Sequence, residues 1–511
     1  MKKWIGYDID RLSPSTTGLN YSVLVVANRY FDLPVIKVLV DGDNGQIFTI
    51  EEPVRCVYEC SLVFTESDIK QIKRWIEMNR ETLLKYWSGN IDTSDLVAKL
   101  QKICLMSIKI HRGLDQIGGS ITEISTATSR VFVDMGKNLP GSGEQMTNEE
   151  EREYVAKLFS QNRKENEAVI YTHAHEDHVG MFVHVPENVP QYIGEGGREI
   201  LLAKYRTLLK ASLNAEEMAS VNEKIRRLEA FHVWEKPRTR PKSFRIGDIA
   251  ITPFFSCHSI YDSYMFLIEA DGKRIWHTGD YREHGYLGKG LEKVLRAYAK
   301  DIDVLITEGT NMKKPEKCIH ESEVSSRMAH VMRAFKYVFV LASSTDIDRL
   351  ATIKKAARSA HKNLYINSAY MKETMRIFTE REANVANGLY KFYPRFATES
   401  SINEMKSDGF VLVTGVSKMD DVELMRMHLP DNDTILIYSS WDGYYKMPEQ
   451  VKVNPMYKMF RDSFNNVVDI HTSGHADRDT IKKVIEIVNA KEDVIVIHKE
   501  ADASLNVLGF Y

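Results

Sequence analysis

The stretch Tyr171–Gly180, YTHAHEDHVG, sets His173, His175, Asp177 and His178 within six residues, directly after the apolar run Ala168-Val169-Ile170. Imidazoles and carboxylates crowded at the mouth of an apolar strand must be desolvated together, a cost that a bound metal ion repays. On extended backbone alternate residues project to the same side, so His173 and His175 can meet one ion. The turn that follows brings Asp177 and His178 to a second ion nearby. Two ions about 3.5 to 4 Å apart can clamp one water as a bridging hydroxide and polarise a substrate oxygen. Such a centre needs further ligands at the ends of other strands. His258 in TPFFSCHSIYDSYMFLIE and Asp280 in KRIWHTGDYREHG both follow apolar strand-like runs.

The elements that must position these groups read as four blocks. Residues 1–105 form an α+β module. Short strands in YSVLVVANRY and VIKVLVDG precede two helices, ESDIKQIKRWIEMNRETLLKYW and TSDLVAKLQKI, with caps at Thr65–Ser67 and Asp92–Ser94. Residues 106–318 are strands parted by glycines and include the histidine cluster. Residues 319–465 alternate strand and helix (YVFVLA, LYIN, FVLVTG and TILIYSS, each followed by a helical pattern, the last from Pro448 to Phe464), which implies a parallel sheet flanked by helices. Residues 466–511 return as strand, helix, strand.

At 511 residues, 43% hydrophobic and 27% charged, the chain is neither disordered nor fibrous and can bury several cores. A net charge of −3 carries no global signature of nucleic-acid binding, although a local basic groove fits beneath it. The run EKPRTRPKSFRIG, with Lys236, Arg238, Arg240, Lys242 and Arg245, reads equally as a phosphate-tracking edge or a solvated loop. The five cysteines, Cys56, Cys60, Cys104, Cys257 and Cys318, are odd in number and lack CxxC spacing, so reduced thiols in a cytoplasmic protein are expected. The start MKKWIGYDID reaches Asp8 before any apolar core, and no apolar run approaches membrane-spanning length, so no membrane role is expected. Ser343 and Ser344, in ASSTDIDRL, stand at a strand-to-helix junction where amides attract phosphate; simple N-capping is the competing reading.

The ordered set THAHEDH, CHSIYDS and HTGDYRE resembles the metallo-β-lactamase superfamily, an αββα sandwich with metals at the sheet edge. The later LITEGTN, HTSGHA and VIVIHKE resemble the three further motifs of its β-CASP branch, nucleases typified by bacterial ribonuclease J and the mRNA 3′-end cleavage factors. The resemblance spans residues 106–511. It implies the sandwich with an inserted parallel α/β domain, beside the small N-terminal module. It assigns His173, His175 and His258 to one zinc and Asp177, His178 and His498 to the other, with Asp280 bridging. It implies catalytic parts for Asp177, Glu308 and His475, and phosphate contacts for His471 and Ser473. Two features depart from the family pattern. Glu308 stands where ribonuclease J relatives usually carry Asp, and VTGVSKMDD, with Ser417 and Lys418, replaces their Gly-x-Gln-Gly stretch. The sequence ends at Tyr511, so the family's C-terminal assembly domain is not expected.

The expectation is a phosphodiesterase with two zinc ions, or manganese in their place, cutting single-stranded RNA by a metal-held hydroxide. His475 and Glu308 would help the leaving oxygen. Homo-oligomerisation, or a partner docked on residues 1–105, is open. Two other readings are a hydrolase of small esters, thioesters or lactones on the same fold, and a binding module without catalysis.

Overall fold

The computed structural model describes residues 9–19, 21–26, 33–41, 44–58, 64, 66–102, 106–234 and 240–509. Outside them lie Thr65, Cys60, Cys104, Lys236, Arg238, the first eight residues and the end of the YSVLVVANRY stretch.

The described strands build four sheets. The first is an antiparallel meander of Ile9–Leu12, Ser22–Val26, Val35–Asp41, Asn44–Thr49 and Cys56–Tyr58. The helix Glu66–Trp87 packs Ile72, Trp75, Ile76 and Leu83 into its core. Thr93–Lys99 follows, capped by Asp92, whose carboxylate accepts from the Asp95 amide.

Two six-stranded sheets then face each other. One runs His232–Trp234, Gln191–Gly194, Asn166–Ile170, Ser129–Val133, Ile121–Ser125, Ser107–Arg112. The other runs Phe244–Ile246, Ile249–Ser256, Ser263–Ala270, Lys273–His277, Val304–Glu308, Asp493–Ile497. Alternation along the strands divides their side chains between two cores. Val131, Val133, Ala168 and Ile170 meet Ile251, Phe266, Ile275 and Ile306 between the sheets. Phe132, Val169 and Tyr171 turn outward into one helix-covered core, and Trp276 and Leu305 into another, beneath Leu291–Tyr298 and Arg478–Val488. The result is the αββα layering the motifs imply.

The fourth sheet is wholly parallel, in the order Arg395–Phe396, Leu364–Ile366, Phe410–Thr414, Tyr337–Leu341, Thr434–Tyr438, Val467–Asp469. Both faces of its four inner strands are buried, so these read as apolar runs. Val304–Glu308 and Asp493–Ile497 are parallel neighbours in the sandwich, yet the whole fourth sheet lies between them in sequence.

Two expectations are corrected. A boundary at residue 465 would give Val467–Asp469 to the sandwich, but this strand pairs in parallel with Thr434–Tyr438 and stays with the fourth sheet. The single helix expected over 448–464 is two, Pro448–Val453 and Pro455–Asp462. Pro455 has no amide proton and excludes Asn454 from helical backbone, where φ is −126° and ψ 66°.

Candidate metal centre and active site

The site residues arrive on the C-terminal ends of sandwich strands. Asn166–Ile170 leads into His173, His175, Asp177 and His178; Ile249–Ser256 into His258; Lys273–His277 into Asp280; Val304–Glu308 ends on Glu308; Asp493–Ile497 leads into His498. His475 comes on the loop between Val467–Asp469 and the helix Arg478–Val488. Close approach is required at Gly136, where a Cβ would run into the Asp177 carbonyl.

Donor atoms of His173, His175 and His258 lie within 4.8 Å of one another, as do those of Asp177, His178 and His498. His173 Nε2 is 3.0 Å and His258 Nε2 3.1 Å from His175 Nδ1. Three ring nitrogens thus converge where one N–H can serve at most one pair. Burial keeps the rings neutral, bringing His175 down to about 4 and holding His173 and His258 well below the ordinary histidine value. Neutral imidazole is the metal-binding form. Tetrahedral zinc with bonds of about 2.0–2.1 Å spaces its nitrogen donors by roughly 3.3–3.4 Å, close to what is seen. In the second set His498 Nε2 is 3.1 Å from Asp177 Oδ2. His178 Nε2 is buried with no hydrogen-bond partner and lies 3.1 Å from Asp280 Oδ2. That same Asp280 oxygen is 3.7 Å from His258, 3.9 Å from His173 and 3.7 Å from His498, so it faces both sets. The donor types, burial and spacing fit a metal cofactor.

His475 and Glu308 form a pair at the rim. His475 Nδ1 is 2.9 Å from Glu308 Oε2 and 3.6 Å from Asp280 Oδ2. Glu308 Oε1 accepts from the Tyr281 and Ala476 amides, and Oε2 from the Thr310 hydroxyl. Burial opposes charging of His475, but Glu308 and Asp280 outweigh it and raise its pKa to about 9. With Nδ1 held by Glu308, Nε2 is left to meet a substrate atom. Asp280, Glu308, His475 and His498 also bring donor atoms within 4.8 Å of one another, a third grouping that reading by motif did not foresee.

The expected phosphate contacts fare differently. His471 Nδ1 accepts from Arg349 at 2.9 Å, and burial, then Arg349, bring its pKa down to about 3. Ser473 Oγ accepts from Asn311 and from the His475 amide, so it shapes the His475 loop. Ser343 binds its own neighbour Thr345, and the following helix is capped by Asp346 rather than by either serine. The Ser344 carbonyl accepts from Thr374. Neither serine's contacts join it to the metal donors. Arg245 donates to the Gly247 and Asp248 carbonyls of its own hairpin.

Several residues that hold the donors were not singled out from the sequence. Asp134 Oδ2 takes His178 Nδ1 at 2.7 Å, and Asp134 also takes the Thr172 amide and hydroxyl. The Gly474 carbonyl takes His258 Nδ1 at 2.7 Å, and Thr310 meets His498 Nδ1 at 2.9 Å. Arg282, two residues past Asp280, reaches Asp346 at 2.9 Å and the Ser473 carbonyl, while Arg349 reaches Glu321 at 3.0 Å and the Thr472 carbonyl. These buried ion pairs tie the fourth-sheet helices to the loop that carries His475. Because such partners fix a ligand's tautomer and direction, Asp134→Ala is expected to lower metal affinity or turnover about 10- to 100-fold, read by metal titration and by kinetics.

Residues 151–359 match a β-lactamase superfamily domain, and residues 465–507 a Zn-dependent metallo-hydrolase RNA specificity domain. An RNase J-like protein of Methanocaldococcus jannaschii is 23% identical over 79% of this chain and 94% of its own length. Ribonuclease J of Helicobacter pylori strain J99 is 21% identical over 83% of this chain, and that of Thermus thermophilus 23% over 74%. The chain spans 59% and 66% of those two enzymes. A crystal structure of a protein of unknown function from Enterococcus faecalis V583 superposes with a TM-score of 0.57 at 17% identity, over 77% of this chain and 94% of that one. Residues 151–359 thus carry a β-lactamase superfamily domain, and the αββα sandwich sets a donor cluster that fits a metal at its edge. Among its relatives the chain is similar to ribonuclease J and to an RNase J-like protein, and its C-terminal segment to an RNA specificity domain.

Proposed function

We propose that this protein is a zinc-dependent ribonuclease that cuts single-stranded RNA in RNA processing or decay, with two ions at the site. His173, His175 and His258 would hold one ion, Asp177, His178 and His498 the other, and Asp280 both; manganese is the alternative occupant. Metal bound there supplies a Lewis acid and lowers the pKa of a coordinated water. The observation that carries the reading is the His475–Glu308 pair, 2.9 Å apart and 3.6 Å from Asp280, at the rim of the donor cluster. Protonated His475 donates from Nε2 to the departing oxygen, and Glu308 holds the imidazole through Nδ1. Asp134, Thr310 and the Gly474 carbonyl keep the metal-binding imidazoles aimed.

Residues 1–105 are proposed as a separate module, with the sandwich formed by residues 106–318 and the segment after Asp469, and the parallel domain between them. Among the described residues no helix is long and apolar enough to cross a membrane, and Cys257 and Cys318 form no disulfide. A cytoplasmic setting is part of the proposal. The test is incubation of purified protein with 5′-monophosphorylated and triphosphorylated single-stranded RNA, duplex RNA and DNA, with and without chelator. Chelator-sensitive cutting of single-stranded RNA is expected. Cutting of small esters alone, or binding without cutting, would replace this reading.

A further inference from the structure

Trp441, Tyr444 and Tyr457 form an aromatic cluster that the metal chemistry does not use. Tyr444 and Tyr457 stack with ring centroids 4.3 Å apart at 17°, and Trp441 stands edge-on to Tyr444 at 5.3 Å and 78°. Trp441 is 37% exposed, which is high for the largest apolar side chain. Its shape is built in, because a Cβ at Gly443 would run into the indole.

Two relays of contacts lead from the segment that carries the cluster to the candidate site. Trp441 lies two residues past Ser439, whose hydroxyl bonds to the Ile470 carbonyl and takes Arg349, at the C-terminal edge of the fourth sheet. Open parallel sheets bind ligands at that edge. Along the second relay, Gln450 on the helix Pro448–Val453 donates to the Pro140 carbonyl, and a Cβ at Gly141 would stand 3.2 Å from Glu449. That loop continues back through Asn138 to its bridge partner Gly118, where a Cβ would stand 2.9 Å from Asp177 Oδ2. Burial, then Tyr457 and the Asp177 carboxylate, push the Tyr444 phenol above its ordinary pKa, placing the cluster within electrostatic reach of the metal donors.

A half-exposed indole beside a site for phosphodiester chemistry offers a π-face to whatever hangs from the sugar next to the reacting phosphate. We infer that Trp441, backed by Tyr444 and Tyr457, is a stacking platform for a nucleobase of the single strand whose phosphodiester occupies the metal site. The inference rests on the ribonuclease reading above. Stacking recognises any base by its π-face, so the platform grips single strands without choosing a sequence, and a paired base is withheld from it.

The test compares kcat/KM for a single-stranded RNA decamer with that for the same decamer bearing abasic residues, in the full-length metal-loaded protein and in Trp441→Ala and Trp441→Phe. The ratio of base-bearing to abasic rates should fall roughly 5- to 150-fold in Trp441→Ala, and most of it should return in Trp441→Phe. An unchanged ratio in Trp441→Ala overturns the platform. So does an equal loss on both decamers, which would mark a structural role, or altered sedimentation with unaltered RNA kinetics, which would make the patch a protein contact. Methyl p-nitrophenyl phosphate, a phosphodiester without a base, is run with the wild type. If that ester is cut and RNA is not, the ribonuclease reading itself has failed, and the platform with it.

Discussion

Asp280→Asn protein folds, binds less metal and turns RNA over on the order of 10³-fold or more slowly. The expectation follows from one oxygen. Asp280 Oδ2 is 3.1 Å from His178 Nε2 and within 3.9 Å of His173, His258 and His498, so this carboxylate faces both donor sets. Asparagine keeps its shape but removes a negative charge that would offset the proposed dications in a buried site, where charge left uncompensated is costly. The loss should therefore appear in metal content and in rate together, with a thermal midpoint near that of the wild type when both are compared without metal. Full metal occupancy in Asp280→Asn would remove this carboxylate from the ligand set.

His475→Ala separates rate from metal. The variant should retain its fold and its metal while turnover falls by something on the order of 10²-fold or more, the usual worth of a positioned acid. His475 is held through Nδ1 by Glu308 and Thr310, and the Glu308 carboxylate favours its protonated form. Metal content, thermal midpoint and RNA cleavage are measured side by side. Unchanged cleavage would withdraw the acid role and leave a broader hydrolase. Loss of metal would make His475 a ligand, the arrangement to which its grouping with Asp280, Glu308 and His498 points.

The clustered histidines and acids were legible as candidate donors because each sits at the end of an apolar strand in a short motif, and sandwich topology sends such strand ends to one edge. Asp134 carried the same signal, an acid closing the apolar run VFVD, yet it stands alone and only the fold sets it against His178. Thr310 lay in plain view within LITEGTN; its part depends on His498, which arrives from a strand at the far end of the chain. Arg282 and Arg349 were not singled out. No local pattern shows that Asp346, Glu321 and three carbonyls of other segments will surround them. At Ser343 the local contacts were not legible, since its hydroxyl meets Thr345 while Asp346 caps the helix. The parallel sheet was readable from its fully apolar strands, whereas the return point to the sandwich was not, because Val467–Asp469 is short and half-buried and only its pairing with Thr434–Tyr438 decides where it belongs.

The most direct test of a two-ion centre is the metal content of freshly purified protein by elemental analysis. Seven positions carry residue types that zinc accepts, so close to two zinc ions per chain are expected, or manganese in their place. Protein that holds no transition metal, and in which no added metal restores cleavage, would contradict the account.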